Sequence, residues 1–320
     1  MRAIVVSRFG GPEVLVPRRC PIRRSARTIY WSTEAVGVNF IDTYFRTGTY
    51  AREVPYIPGD EGSGVVLEVG SQVSEFGVGD RVAWASAPGS YAEKVVVPAA
   101  VAVDVPDAVA PESAASALLQ GMTAHYLIES AHPARAGETV LVHAGAGGVG
   151  LLLTQMAAAK GVKVISTVST DEKEALAREA GAWRVLRYDA GLADKVRELT
   201  GGEGVAAVYD GVGKDTFDAS LDSLRIRGTL VLFGAASGPV PPFDLQRLNS
   251  GGSLFVTRPT LAHYVRDREE LTWRAGAVLD AIAAGTLKLR VGGSYPLDRA
   301  ADAHRDLEGR RTTGSIVLVP

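Results

Sequence analysis

Between residues 139 and 258, short apolar runs alternate with amphipathic segments of about ten residues. The apolar runs cover residues 139–144, 163–168, 184–188, 205–211, 229–234 and 253–258. Strands that are buried on both faces have continuous apolar sequences, and a helix between successive strands makes them parallel. The alternation therefore predicts an α/β unit built on a doubly wound parallel sheet.

A glycine-rich stretch, VHAGAGGVG, joins the first of these strands to the following helix. Gly145, Gly147 and Gly150 satisfy the spacing G-x-G-x-x-G, with a strand before it and a helix after it. Glycine lets the backbone turn tightly and approach a pyrophosphate, and the helix start presents free N–H groups to the phosphates. This context predicts a Rossmann dinucleotide-binding site.

The end of the second strand distinguishes between the two nicotinamide dinucleotides. NAD-specific folds place an acidic side chain there to hold the ribose 2′-hydroxyl. Here the strand ends on Ser169 and Thr170, and Asp171 comes late enough to be a helix cap. Hydroxyl groups followed by Lys173 suit a charged 2′-phosphate, so the sequence favours NADPH over NADH.

The first hundred residues have a different pattern, with short strand candidates at residues 3–7, 62–70, 81–86 and 91–98 separated by Gly and Pro. This pattern predicts a small β-rich domain. After Pro259 the sequence predicts two helices and a final strand, SIVLVP.

Composition excludes several classes of protein. The 320 residues carry 34 basic and 36 acidic side chains, a net charge of −2, which argues against nucleic acid or a membrane surface as partner. The sequence contains no run of 18 apolar residues, so no membrane span is predicted. Glu13 interrupts the apolar core that a signal peptide would need. The single cysteine, Cys20, fits a reducing cytoplasm.

Beyond these patterns, several stretches resemble the zeta-crystallin-like quinone oxidoreductases of the medium-chain dehydrogenase/reductase superfamily. The matching stretches, which span nearly the whole chain, are GGPEVL, AVGVNFIDTYFRTGTY, PYIPGDEGSGVVLEVG, GDRVAW, LLQGMTAHYL, VLVHAGAGGVGLLLTQ, TVSTDEK, YDGVG and SLFVTRP.

The resemblance implies a GroES-like catalytic domain formed by residues 1–121 with 258–320, and a Rossmann NADPH-binding domain at residues 122–257. It also implies a homodimer joined through the sheet edge near residues 253–256. The expected reaction is hydride transfer from NADPH to a quinone without zinc. Alternatives are an NADPH-dependent reductase of α,β-unsaturated ketones or aldehydes, and a non-enzymatic NADPH- or RNA-binding protein.

The resemblance further assigns individual residues. The cofactor contacts that it implies are Phe40, Ile41, Asp42, Thr43, Thr123, Tyr126, Gly145, Gly147, Gly148, Val149, Gly150, Ser169, Thr170, Lys173, Tyr188, Gly211, Val212, Phe233, Ser237 and Arg310, with Arg311 as a neighbouring alternative to Arg310. The candidate catalytic residues, which would polarise the acceptor, are Asn39, Tyr44, Tyr50 and Arg258.

Zinc-dependent relatives carry a cysteine, a GHE loop and four clustered cysteines. This chain has Asn39 near the first position and Gly59-Asp60-Glu61 at the second, so no metal is expected. One stretch, residues 17–37, departs from the family pattern: Arg18, Arg19, Arg23, Arg24 and Arg27 cluster where a turn and strand are expected. Divergence, a sequence error over residues 18–32 and a basic anion patch all remain open.

Overall fold

The computed structural model describes residues 1–21 and 28–320, which divide into two compact units. The first unit comprises Met1–Met122 with Val265–Pro320, and the second comprises Thr123–Tyr264. The strands are β1 (Arg2–Val5), β2 (Val16–Arg19), β3 (Thr28–Val38), β4 (Gly62–Val69), β5 (Arg81–Trp84), β6 (Lys94–Pro98), β7 (Ala102–Asp104), β8 (Thr139–Val142), β9 (Lys163–Val168), β10 (Arg184–Arg187), β11 (Val205–Asp210), β12 (Leu224–Leu232), β13 (Phe255–Thr257), β14 (Val291–Pro296) and β15 (Ser315–Val319). The α-helices are α1 (Phe40–Thr47), α2 (Pro111–Tyr126), α3 (Gly148–Ala159), α4 (Asp171–Glu179), α5 (Leu192–Leu199), α6 (Phe217–Asp222), α7 (Gln246–Ser250), α8 (Arg268–Ala283) and α9 (Ala300–Glu308).

The second unit contains a six-stranded, all-parallel sheet in the order β10-β9-β8-β11-β12-β13. Numbered within this unit, the order is 3-2-1-4-5-6, which confirms the doubly wound Rossmann sheet. The strand order reverses between β8 and β11, and ligands bind beyond the carboxyl ends of the strands at such a point.

Burial on both faces explains the apolar strand sequences of this sheet. All six residues of β11 are buried, as are Val140, Leu141 and Val142 of β8. Leu141 packs in one core cluster with Ile165 of β9. Because every side chain of these strands enters a core, the periodicity of two that marks half-exposed strands is missing.

The first unit is β-rich, as predicted. Its larger sheet has the order β14-β15-β3-β4-β5-β7, with β6 also paired to β3, while β1 and β2 form a separate antiparallel pair. Strand β15 runs antiparallel to β3, with Val317 opposite Gly37. The last strand of the chain therefore completes a sheet that the amino-terminal segment begins.

Some predicted elements differ in extent from those observed. Strand β9 has the predicted bounds, but β12 begins five residues early, at Leu224, and α2 gives way to a π-helical turn at Leu127–Ala131. Strand β3 covers the alternating TIYWSTEAV segment, and Arg18 and Arg19 are exposed on β2. The remaining arginines of that cluster, Arg23, Arg24 and Arg27, lie outside the described residues. Within the described ranges, no helix is both long and apolar enough to cross a membrane.

Candidate functional site

Close packing requires two glycines here, Gly145 in the loop between β8 and α3 and Gly150 in the first turn of α3. The Gly145 N–H donates to the Thr167 carbonyl at 3.0 Å, and a Cβ on Gly145 would lie 1.6 Å from the Ser166 hydroxyl oxygen. A Cβ on Gly150 would lie 2.4 Å from the Ala144 carbonyl oxygen. These glycines let the loop lie against β9 and let α3 begin directly above the loop.

Gly147 is less crowded than these two glycines. A Cβ there would meet one atom, the Ala144 carbonyl oxygen, at 3.2 Å. Gly147 precedes the first turn of α3, where Gly148, Val149 and Gly150 carry N–H groups with no acceptor inside the helix. Apart from that oxygen and the neighbours of Gly147 in the chain, no described residue lies within 4 Å of such a Cβ, and the aligned N–H groups suit an anion. The loop therefore fits a dinucleotide pyrophosphate.

Tyr188 reaches this loop from the end of β10. Its hydroxyl oxygen accepts a hydrogen bond from the Ala144 N–H at 2.8 Å, and its ring stacks on His143 with centroids 5.9 Å apart. Ala144 has a φ of 51°, which is uncommon for a residue with a side chain. Tyr188 thus supports the strained residue of the loop while 39% of its surface stays exposed.

The end of β9 carries polar groups rather than an unpaired acid. Ser169 and Thr170 are exposed, and Thr170 caps α4 by accepting the Lys173 N–H at 3.3 Å. Its hydroxyl can still donate a hydrogen bond. The Asp171 carboxylate lies 2.5 Å from an Arg187 nitrogen, so its charge is paired. Sequence reasoning missed Arg187, although its place beside Tyr188 at a strand end could have indicated it.

The loops after β11 and β12 are joined to each other. The Ser237 hydroxyl donates to the Val212 carbonyl at 2.8 Å, and a Cβ on Gly211 would lie 2.9 Å from the Phe233 ring. The structure therefore brings together the four residues that were predicted on these loops.

A buried polar network, missed from the sequence, holds the loop after β11. Asp210 accepts the Val212 N–H at 2.8 Å, and its other oxygen accepts the hydroxyls of Thr216 and Ser220 at 2.7 and 2.8 Å. Ser220 in turn contacts Nε2 of His143 at 3.0 Å. Burial lowers the pKa of His143, so the imidazole is kept neutral between its hydroxyl partners.

Three further predicted residues of this unit have well-defined surroundings. Tyr126 is buried and stacks on Tyr264, with ring centroids 4.4 Å apart, and Thr123 is buried as well. Arg258 is exposed and donates to the Leu232 carbonyl at 3.2 Å. Arg258 belongs to the second unit, whereas the other three predicted catalytic residues belong to the first.

In the first unit, helix α1 carries most of the predicted residues. Asn39 precedes the helix, and its backbone N–H donates to Asp42 at 2.9 Å. The Tyr44 ring lies 5.1 Å from that of Tyr50 and 5.5 Å from that of Phe40. The structure thus groups the two candidate tyrosines.

Two other predicted residues of α1 face different surroundings. Thr43 is buried and donates its hydroxyl back to the Phe40 carbonyl at 2.7 Å, whereas Ile41 is half-buried. The Thr43 hydroxyl therefore satisfies its own helix.

The Asn39 side chain is held at both ends. Its amide nitrogen donates to Glu61 at 2.6 Å, and its oxygen accepts the Gln120 amide at 3.0 Å. Glu61 also accepts the Leu119 N–H at 2.7 Å. Burial raises the pKa of Glu61 to about 8 and that of Asp42 to about 7. Gln120 was not among the predicted site residues, and Glu61 was expected only to brace its loop.

A second series of buried hydrogen bonds begins at Asp42. The Tyr91 hydroxyl donates to Asp42 at 2.9 Å and contacts Nε2 of His304 at 3.0 Å. Arg46 contacts the other ring nitrogen of His304 at 3.0 Å and pairs with Glu308 at 2.6 Å. These hydrogen bonds fix α1 against α9.

The carboxyl-terminal arginines differ in their contacts. Arg311 is paired with Asp306 at 2.6 Å, while Arg310 is exposed and has a φ of 56°. In the described parts of the chain, no three His, Cys, Asp or Glu side chains cluster as metal ligands. Asp60, in the loop that replaces GHE, pairs with Arg52 at 3.3 Å.

Comparisons with known proteins agree with this geometry. Residues 28–107 match the alcohol dehydrogenase GroES-like domain, and residues 148–275 match the zinc-binding dehydrogenase family. A quinone oxidoreductase of Pseudomonas aeruginosa is 46% identical, covering 100% of this chain and 99% of the relative. A 2-haloacrylate reductase of a Burkholderia species is 40% identical, covering 99% of this chain and 98% of the relative.

A solved structure has the same fold as this chain. A mycobacterial protein in complex with NADPH superposes with a TM-score of 0.98 at 55% identity, covering 100% of both chains. Full-length identity at this level, together with the Rossmann glycine loop, shows that the chain belongs to the zinc-free quinone oxidoreductase branch of the medium-chain dehydrogenase/reductase superfamily.

Proposed function

We propose that the protein is an NADPH-dependent oxidoreductase that reduces quinones. The observation that carries the proposal is the combination of the glycine loop that starts α3 with the polar end of β9, where Asp171 is already paired with Arg187. That combination suits a dinucleotide with a 2′-phosphate. It is supported by the NADPH complex of the mycobacterial relative and by the quinone oxidoreductase of Pseudomonas aeruginosa.

The second unit would hold the cofactor. The N–H groups that start α3 would bind the pyrophosphate, while Ser169, Thr170, Lys173 and Tyr188 would surround the 2′-phosphate. The loops after β11 and β12, including Gly211, Val212, Phe233 and Ser237, would border the nicotinamide. When bound, NADPH supplies a hydride from its nicotinamide ring.

The first unit would orient the acceptor. Asn39 has an amide that donates hydrogen bonds, and the paired rings of Tyr44 and Tyr50 offer an apolar surface with hydroxyl donors. Arg258, in the second unit, would add positive charge near the cofactor. The acceptor oxygen then gains its proton from Tyr44 or from water, and the protein contributes mainly orientation and electrostatics.

A steady-state panel tests this function. Purified protein is assayed with NADPH and NADH against quinones and against enones of similar size. We expect quinone reduction with NADPH and a kcat/KM at least tenfold lower with NADH. An enzyme that uses both dinucleotides equally, or that leaves every quinone unreduced, contradicts the proposal.

Reduction of electron-poor alkenes is the second candidate, favoured by the 40% identity to a 2-haloacrylate reductase. The same cofactor geometry would serve it, because hydride transfer to an alkene carbon needs the same alignment. In the panel, enone turnover that exceeds quinone turnover would assign this function instead.

We also infer a homodimer joined through β13, and activity in the cytoplasm. Strand β13 ends the parallel sheet, and Phe255 on it is 60% exposed. An exposed edge strand with an apolar side chain is suited to pairing with a second copy. Light scattering should give a dimer for the native protein and a monomer for Phe255→Lys, whereas a monomeric native protein contradicts the inference.

A further inference from the structure

A chain of hydrogen bonds, all donated in one direction, runs from Gln120 through Asn39 to Glu61. Glu61 accepts from Asn39, whose oxygen accepts from the Gln120 amide nitrogen. The carbonyl oxygen at the end of Gln120 is buried and has no hydrogen-bond partner among the described residues. Gln120 itself is only 8% exposed. A buried acceptor of this kind needs a donor, which is either an ordered water or a bound ligand.

The position of Glu61 is built into the fold. A Cβ on Gly37 of β3 would lie 2.4 Å from a Glu61 carboxylate oxygen, so only glycine leaves room there. The Leu119 N–H of α2 holds the other oxygen. Of the charged groups nearby, Asp42 faces Glu61 from α1, and Asp60 is paired with Arg52. Strand β3 and helix α2 supply only backbone atoms to the carboxylate in these contacts.

The direction of this chain depends on whether Glu61 carries a proton. A carboxylate only accepts, so Asn39 must donate to it and the free end of Gln120 is its carbonyl oxygen. A protonated Glu61 can donate to the Asn39 oxygen. Both amides then turn over, Asn39 donates to Gln120, and the free end of Gln120 becomes an N–H donor. Burial of Glu61 raises its pKa to about 8, so both states are accessible near neutral pH.

We propose that Gln120 contacts the acceptor, donating to a quinone carbonyl when Glu61 is protonated and accepting from a hydroquinone hydroxyl when Glu61 is ionised. In this scheme Glu61 is a positioning residue that acts through Asn39. The inference rests on the proposed quinone reduction, because it assigns the Gln120 end of the chain to that acceptor.

Two variants separate the parts of the chain. In Glu61→Gln, the side-chain oxygen keeps the Leu119 N–H, and its amide must donate to the Asn39 oxygen. This variant therefore locks the chain in the direction that presents a donor. Gln120→Met keeps a side chain of similar length but removes both hydrogen-bonding groups. Asp42 also titrates near neutral pH, but it binds the Asn39 backbone, and Glu61→Gln leaves that contact in place.

The experiment measures the dissociation constants of duroquinone and durohydroquinone under anaerobic conditions, without reductant, from pH 6 to 9. These ligands share one carbon skeleton, but the quinone carries carbonyl groups where the hydroquinone carries hydroxyl groups. For the native protein, we expect the preference for the hydroquinone to rise about tenfold with pH, the effect of one hydrogen bond. Glu61→Gln should keep the low-pH preference throughout, and Gln120→Met should lose the pH dependence with weaker binding of both ligands.

Several results would overturn the inference. If Glu61→Gln retains the pH dependence, the protonation of Glu61 does not set the direction of the hydrogen bonds. If Gln120→Met binds both ligands as the native protein does, a buried water alone completes the Gln120 carbonyl. A single cooperative thermal transition and a native NADPH affinity in each variant show that folding is intact. If the native protein neither binds these ligands nor reduces quinones with NADPH, the proposed function fails; normal turnover with a flat pH profile removes this inference alone.

Discussion

Arg46 donates a hydrogen bond to Nδ1 of His304, a residue 258 positions further along the chain, at 3.0 Å. A guanidinium only donates, so Nδ1 must accept and the ring proton lies on Nε2. Nε2 therefore donates to the Tyr91 hydroxyl, which donates to Asp42. Burial, with Arg46 beside it, lowers the pKa of His304 to about 3, so the ring stays neutral. Arg46 thus selects the tautomer that directs every proton of this chain toward Asp42.

Replacement of His304 should destabilise the first unit. In His304→Ala, Arg46 and Tyr91 both lose a buried partner and a cavity forms between α1 and α9, at a cost of about 2–4 kcal/mol. Thermal unfolding should show an apparent midpoint lowered by roughly 5–10 °C. His263→Ala, at an exposed position, is the matched control and should change little. Equal midpoints for the two variants would show that the hydrogen bonds of His304 contribute nothing to stability.

Glu61 should make stability depend on pH. Its pKa is raised from 4.5 to about 8 in the folded protein, so its contribution is present below pH 4.5 and is lost as the pH rises toward 8. In Glu61→Gln this loss is absent. The stability of the variant relative to the native protein should therefore increase by up to about 1.4 kcal/mol per pH unit between pH 5 and 8.

Denaturant unfolding at several pH values measures this difference. Glu53→Gln removes an exposed carboxyl and serves as the control, for which a pH-independent difference is expected. Parallel pH profiles for Glu61→Gln and the native protein would exclude a buried, readily protonated Glu61.

The loop glycines should respond differently to a methyl group. Gly147 has a φ of −78°, and a Cβ there would meet the Ala144 carbonyl oxygen at 3.2 Å. Gly147→Ala should therefore fold with a small loss of stability but bind NADPH at least tenfold more weakly, because the methyl occupies the proposed pyrophosphate position. Gly145→Ala should instead lose stability through its clash with Ser166, and Ser166→Gly should restore part of it. Calorimetric titration and thermal unfolding separate the two effects. Normal NADPH binding by Gly147→Ala would place the pyrophosphate elsewhere.

Lys173 should distinguish the two dinucleotides. Lys173→Ala removes a charge expected near the 2′-phosphate, so NADPH should bind about tenfold more weakly while NADH affinity stays within twofold. Lys160→Ala, which also removes a lysine charge but at the carboxyl end of α3, where Lys160 pairs with Glu129, is the control. The measurement is fluorescence titration with both dinucleotides. An equal loss for NADPH and NADH would indicate a general effect on the fold.

Local sequence patterns predicted the Rossmann sheet well because each strand there is buried on both faces and each connection is a helix. Strand β9 lies where the apolar run lies. Strand β14, with sequence VGGSYP, was not predicted, since two glycines and half-exposed positions hide its character. It forms only because β15 lies parallel to it.

For the candidate site, the sequence indicates only those features that are formed by residues close together in the chain. The glycine loop and the end of β9 are local features. Glu61 reaches Leu119 across 58 residues and Gln120 reaches Asn39 across 81. Such contacts are set by the packing of distant segments, and a single sequence offers no periodicity that would reveal them.

The pairing of β15 with β3 has a consequence for protein synthesis. Residues 123–264 are contiguous, so that unit can fold as soon as it leaves the ribosome. The sheet begun by β3 must wait for the last five strand residues of the chain, Ser315–Val319. A chain that ends after Tyr264 would contain a folded second unit but an incomplete first sheet, whose open edge at β3 invites aggregation.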